Sequence, residues 1–143
     1  MLGTLFSIIA GAAMSFQGVI NTRLGEKIGL YESNMFVQGT AFVLSLIAMF
    51  VLGKGNLRAL GEVNKIYWLG GVLGLIITIT VMLGIKDLSP TISISIILIS
   101  QLLVAALIDA FGLLGTEKVA FDWTKYAGIG LMIAGVVVFK LKI

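Results

Sequence analysis

Residues 89–113 read SPTISISIILISQLLVAALIDAFGL, and this stretch decides the fold of the chain. Ser89 followed by Pro90 is typical of a helix start, because Ser favours the N-cap and Pro is tolerated at the first helical position. The residues that follow are almost all apolar or small, and Asp109 is the single charged side chain among them. A hydrocarbon core of about 30 Å needs roughly 20 such residues in a helix. The stretch therefore predicts a transmembrane helix over residues 90–113.

Four further apolar runs extend this pattern along the whole chain. Together with the first run they predict five spans, at about 2–22, 33–53, 66–85, 90–113 and 126–141. Hydrophobic residues make up 59% of the chain and charged residues 12%, whereas soluble domains have roughly 45–50% and about 25%. Open strands cannot satisfy their backbone in lipid. We therefore predict an all-α integral membrane protein, a single domain over 1–143 that crosses the inner or plasma membrane several times.

The basic residues divide evenly between the two membrane faces that these spans define. One face carries Lys54, Arg58, Lys65, Lys118 and Lys125, and the other carries Arg23, Lys27, Lys86, Lys140 and Lys142. Membrane proteins are normally oriented by an excess of Lys and Arg in their cytoplasmic loops. With five on each face, both orientations should insert with comparable ease. The even division favours an antiparallel homodimer.

The composition also argues against several classes of function. The chain has no Cys and no His, so it lacks a thiol nucleophile and the commonest metal ligand. Its glycine pairs do not stand in a P-loop or a dinucleotide-binding context. The net charge of +3 comes from basic residues scattered through loops, where anionic lipid headgroups are the expected neighbours. We expect no enzyme activity, no cofactor, no metal and no nucleic acid.

Small residues recur at intervals of four along three of the spans. They are Gly11 and Ser15 in the first, Gly70 and Gly74 in the third, and Gly130 and Ala134 in the fifth. This interval places them on one helix face, where they let neighbouring backbones approach closely. We predict that these residues form packing seams. The pattern leaves open whether each seam packs within one protomer or between two.

Polar side chains interrupt the apolar spans at Gln17, Asn21, Gln38, Gln101 and Asp109. Gln17 and Asn21 share a helix face, and Gln101 and Asp109 lie about 80° apart, so that both can face one cavity. Such groups usually face a bundle interior or a water-filled path. We predict that the four amides line a substrate site, although amides can equally tie helices together.

Two further residues have more than one interpretation. Trp68, where the third span begins, is either a headgroup-level anchor or part of the substrate site. Asp109 lies near the C-terminal end of its helix, where the macrodipole disfavours an anion, and this makes it the candidate for proton or cation coupling. Alternatively it forms a structural ion pair with Lys118, or a pair with Arg23 of an inverted second copy.

Four runs of residues resemble the YdcZ-type family of the drug/metabolite transporter superfamily. They are QGVINTRLG at 17–25, WLGGVLG at 68–74, Ser100-Gln101 with DAFG at 109–112, and the glycine-rich run at 130–135. The resemblance covers essentially the whole chain in order and spacing. The chain departs from the family pattern at Ser100, where the family has Gly, and at Ala110, where it has His. The second departure removes a possible proton partner for Asp109.

The resemblance implies a five-helix unit similar to one inverted half of a ten-helix transporter. Family members occur as dual-topology chains, as paired paralogues or as fused halves, and the even charge division favours the first form. We predict a secondary-active transporter of a small solute that works as an antiparallel homodimer with alternating access. The alternative is a non-transporting membrane subunit that assembles with a paralogous partner. A channel is disfavoured because no ring of like charges lines a span.

Overall fold

The computed structural model describes residues 1–120 and 122–141, and it is 87% helical, with no strand in that part of the chain. The long helices are α1 (Leu2–Ile28), α2 (Leu30–Leu52), α3 (Gly70–Leu88), α4 (Pro90–Phe111) and α5 (Trp123–Lys140). Short 3-10 turns lie at Leu57–Gly61, Lys65–Leu69 and Leu113–Gly115. Each long helix is apolar enough to cross a membrane, α3 together with the turn before it. The predicted all-α membrane fold with five spans is confirmed.

The helices run past the apolar spans at several ends, most clearly in α1. This helix continues to Ile28, beyond the predicted limit at residue 22. In the extension, Arg23 Nη1 lies 3.0 Å from Glu26 Oε2, an exposed ion pair between neighbouring turns. Hydropathy marks where the hydrocarbon core ends, whereas a helix ends where its backbone turns. Here the backbone turns at Gly29, whose φ of 105° lies in a region that favours glycine.

The observed start of α4 agrees with the start predicted from the sequence, whereas that of α2 does not. Ser89 occupies the N-cap of α4 with Pro90 following, as predicted, but its side chain makes no capping hydrogen bond. At residue 33, where the apolar pattern starts the second span, Ser33 and Asn34 are the residues that favour an N-cap, but neither of them caps α2. Since α2 already begins at Leu30 directly after Gly29, both side chains lie inside the helix, where they are buried.

Contacts divide the chain into two compact units. The first, Met1–Asp87, contains α1, α2 and α3, and within it α1 packs along α2. The second begins at Leu88 and contains α4 packed along α5. The single domain expected from the sequence stays a prediction.

Within the first unit, side chains of α3 lie close to two glycines of α1. A Cβ atom at Gly18 would lie 2.8 Å from Ile85 Cδ1, and one at Gly25 would lie 2.6 Å from Met82 Cε. Met82 and Ile85 are among the few buried apolar residues. The glycines therefore provide the space into which α3 places its side chains, and neither was among the predicted packing residues.

The predicted packing seams lie open by comparison. For Gly11, Gly70 and Gly130, no atom of the described residues beyond the adjoining backbone of the same helix lies within 4 Å of a Cβ placed there. Ala134 is exposed, and the hydroxyl of Ser15 donates only to its own helix, to Gly11 O at 3.0 Å. Gly74 is the exception, because its Cβ position lies 3.8 Å from Gln38 Nε2. Apart from Gly74, the seams leave a surface on which another helix can pack.

Candidate substrate and coupling sites

A buried polar cluster lies where α1 turns into α2. It consists of Asn21, Thr22, Ser33 and Asn34, each at most 6% exposed. Ser33 Oγ donates to Asn21 O at 3.2 Å, and Thr22 Oγ1 donates to Gly18 O at 2.7 Å. Of these residues the sequence predicted only Asn21 as a site residue. In the sequence, Gly29 was the signal that an abrupt turn lets α2 begin at Leu30. The early start of α2 buries Ser33 and Asn34.

One oxygen atom of this cluster lacks a hydrogen bond. Asn34 Oδ1 is buried and accepts none from the described residues. Leaving a buried acceptor unsatisfied costs about 1–3 kcal/mol, so that ordered water usually occupies such places. A cavity of about 130 Å³ borders the cluster at Thr22, and its other lining residues are Gly25, Glu26, Leu30, Met82, Leu83 and Lys86. That volume corresponds to a few water molecules.

The remaining predicted site residues of the first unit lie in different environments. Gln17, one helical turn before the buried Asn21, is exposed. Gln38 is half-buried and faces α3 at Gly74. Trp68 is exposed in the turn before α3. Asn21 therefore lies inside the unit, Gln38 lies against α3, and Gln17 lies on the surface.

The second unit has an open groove of about 450 Å³ between α4 and α5. Its lining residues are Leu102, Ala105, Ala106 and Asp109 from α4, and Lys125, Gly128, Ile129 and Met132 from α5. Gln101 is not among them, and its side chain is exposed. The structure thus places Asp109 in a cavity without Gln101, its predicted neighbour there.

Asp109 is half-buried at the end of the groove close to the α4–α5 loop. Its backbone oxygen accepts a hydrogen bond from Val119 N at 2.9 Å, which folds the loop back over the end of α4. The carboxylate itself has no hydrogen bond or ion pair to any residue of the described ranges, Lys118 included. In this structure, Asp109 is therefore not part of the structural ion pair that was one of its interpretations.

Lys125 is the charged residue of the groove that the sequence prediction missed. Its Nζ donates to Ala120 O at 3.0 Å, which holds the ammonium near the loop. Asp109 is the third-last residue of α4, and Lys125 is the third residue of α5. Two consecutive helices joined by a short loop bring such positions to the same end of the pair, and this was the signal available in the sequence.

The start of α5 is fixed by Asp122. Its Oδ1 accepts hydrogen bonds from Thr124 Oγ1 at 2.7 Å and from Lys125 N at 3.2 Å. The bond from the Thr124 hydroxyl, followed by that from the Lys125 backbone, lowers the pKa of the Asp122 carboxyl below its usual range. This cap sets the first turn of α5 and with it the position of Lys125.

Comparison with known protein families gives a match that covers nearly the whole chain. The family described as "Putative inner membrane exporter, YdcZ", of the drug/metabolite transporter type, matches residues 2–138. No curated protein and no solved structure matches the chain.

Proposed function

This chain belongs to the YdcZ family of inner membrane exporters, and we propose that it works as an antiparallel homodimer. As a multi-pass inner membrane protein of a transporter family, it would carry a small solute by alternating access. Two inverted copies of five helices each would then supply the ten helices of a full transporter. Rocking of one copy against the other would expose the substrate path to each side in turn.

Two exposed amides carry the dimer proposal. Gln17 lies near the middle of α1 and Gln101 at the middle of α4, and both side chains are exposed in the single chain. A polar group facing hydrocarbon is costly, and such groups are normally turned toward protein or a water-filled cavity. A second copy packed over these faces would remove the amides from lipid. Each interhelical hydrogen bond formed would stabilise the dimer by about 0.6 kcal/mol.

The open seams and the charge division support the same arrangement. Gly11 in α1 and Gly130 in α5 have no near neighbour among the described residues, so another helix could approach their backbones closely. The Lys and Arg residues divide five and five between the faces, which favours insertion in both orientations. An inverted second copy is then available in the same membrane.

Labelling of single cysteines in the native membrane tests this proposal. The chain has no Cys, so that Asn56→Cys and Ile28→Cys each give a single reactive site. Both positions are exposed, and they lie at opposite ends of α2. We expect an impermeant maleimide added outside to label about half of each variant, with the rest labelled only after lysis.

Labelling of only one variant from outside would contradict the homodimer. It would favour the alternative, a subunit of fixed orientation that needs a paralogous partner, and such a chain should be unstable when produced alone.

Transport itself is tested by solute flux into liposomes that contain the purified chain. If Asp109 couples flux to protons, Asp109→Asn should change the pH dependence, and an unchanged profile would exclude that role.

A further inference from the structure

The α4–α5 groove combines charges of both signs with apolar walls. Asp109 and Lys125 lie at its loop end, and the apolar or small lining residues extend from there toward the middle of both helices. From this arrangement we infer that the groove binds an amphipathic zwitterion, whose amine faces Asp109 and whose acid group faces Lys125. The inference names a substrate class for the proposed transporter and rests on that proposed function.

The unpaired carboxylate is the first argument for an amine. Asp109 is half-buried in a membrane helix and has no partner among the residues described. Its position as the third-last residue of α4 places it against the negative end of the helix dipole. A carboxylate in such surroundings needs a nearby cation with donors, and charge-assisted hydrogen bonds from an ammonium group provide one.

Lys125 supplies the matching group for an acid. An ammonium carries three N–H donors, and the bond to Ala120 O fixes its position near the loop. The Asp122 cap fixes the backbone below it. A ligand with only an amine would meet one complementary and one repulsive charge in the groove, whereas a zwitterion can satisfy both.

The walls determine the rest of the ligand. From Asp109 to Leu102 the helix rises about 10 Å, which suits one aromatic ring or a short aliphatic chain. Ala105, Ala106 and Gly128 leave room, while Ile129 and Met132 provide apolar contacts. A volume of about 450 Å³ falls within the usual range for small-molecule sites.

Three probes with the same ring test the inference by charge alone. Phenylalanine carries both charges, phenethylamine only the amine, and 3-phenylpropionate only the acid. Binding to the purified full chain in lipid nanodiscs is measured by equilibrium dialysis of radiolabelled phenylalanine and displacement by the other two. We expect phenylalanine to bind at least about tenfold more tightly than either singly charged probe.

Two variants assign the charges. Asp109→Asn should weaken phenylalanine and phenethylamine about tenfold and leave 3-phenylpropionate unchanged, and Lys125→Gln should weaken phenylalanine and 3-phenylpropionate instead. Lys118→Gln is the matched control, because it removes a charge from the adjoining α4–α5 loop at a residue that does not line the groove. Gly128→Leu should weaken all three probes equally, since Gly128 lines the groove and the open space at its Cβ position lets the Leu side chain occupy part of the groove volume.

Absence of binding up to about 10 mM, equal binding of the three probes, or variants without charge-selective effects would each overturn the inference. Equal binding of the three probes would indicate that the groove accommodates lipid chains without recognising charge.

The experiments distinguish a failure of this inference from a failure of the proposed function. If labelling shows one fixed orientation while the charge-selective pattern holds, the homodimer fails and the site remains. If both orientations coexist while binding is charge-blind, only the site fails.

Discussion

At the residue scale, the cap of α5 makes the stability of that helix depend on pH. The Asp122 carboxyl has a lowered pKa in the folded chain, chiefly because of its bond from Thr124. Its contribution is therefore present above the usual carboxylate pKa of about 4 and is lost as the pH falls through the lower, folded value. We expect α5 to loosen below about pH 4, measured as faster amide exchange in residues 123–127.

Asp122→Asn is the matched variant, because an amide oxygen can still cap the helix. It should retain most of the protection at neutral pH and abolish the pH dependence of exchange. Asp122→Ala should lose protection at every pH. If Asp122→Asn still loosens in acid, the pH dependence comes from a titratable group other than the Asp122 carboxyl.

The buried polar cluster gives a contrast between two neighbouring residues. Ser33→Ala removes the side-chain donor to Asn21 O, which keeps its bond within α1, so it should destabilise the chain by about 1 kcal/mol, the net contribution of one hydrogen bond. Asn34→Leu removes an oxygen that has no partner among the described residues, and should be close to neutral. Thermal unfolding in detergent measures both. A large loss for Asn34→Leu would show that water or a ligand uses that amide.

At the scale of elements, the α1–α3 contact depends on Gly18. A Cβ there would meet Ile85 Cδ1 at 2.8 Å and Val81 Cγ1 at 3.1 Å, and two branched side chains cannot both yield easily. We expect Gly18→Ala to lower the free energy of unfolding by about 1–2 kcal/mol. Gly25→Ala should have a smaller effect, because the atom in its way is the end of the flexible Met82 side chain.

The exposed face of α5 is expected to pack between copies. Gly130 lies on the side of the helix opposite the groove-lining Gly128 and Met132. Gly130→Leu should therefore shift the chain from dimer to monomer, measured by cross-linking in the membrane, while the helical content stays the same. Gly55→Leu is the control, since it makes the same substitution in equally open space but in a loop. A dimer unaffected by Gly130→Leu would exclude this face from the interface.

At the scale of the whole molecule, the even charge division should be easy to upset. Asn56→Lys with Glu62→Lys adds two basic residues to one face, and Ile28→Lys with Asp87→Lys adds two to the other. Each double variant should insert in one orientation and lose transport when produced alone. Producing both together should restore flux, because oppositely oriented copies are again present. Full activity of either variant alone would contradict the antiparallel arrangement.

The membrane location and the number of spans follow from the sequence, because transfer into lipid is a property of each residue that depends little on its neighbours. The family was recognised as a resemblance carried by short runs of residues, such as 17–25 and 68–74, and the family match over residues 2–138 confirms it. The Ser89-Pro90 pair also placed the start of α4 correctly, because helix capping depends on local sequence.

Only the tertiary structure decided which polar groups are buried and which charged residues line the same groove. The turn at Gly29 buries Ser33 and Asn34, and the pairing of α4 with α5 brings Lys125 into the groove of Asp109. The same packing leaves the predicted seam at Gly130 open. Which side chains are buried and which charged residues share a groove depends on which helix faces pack together. Helices that are apolar on all sides carry little sequence information about which of their faces will pack.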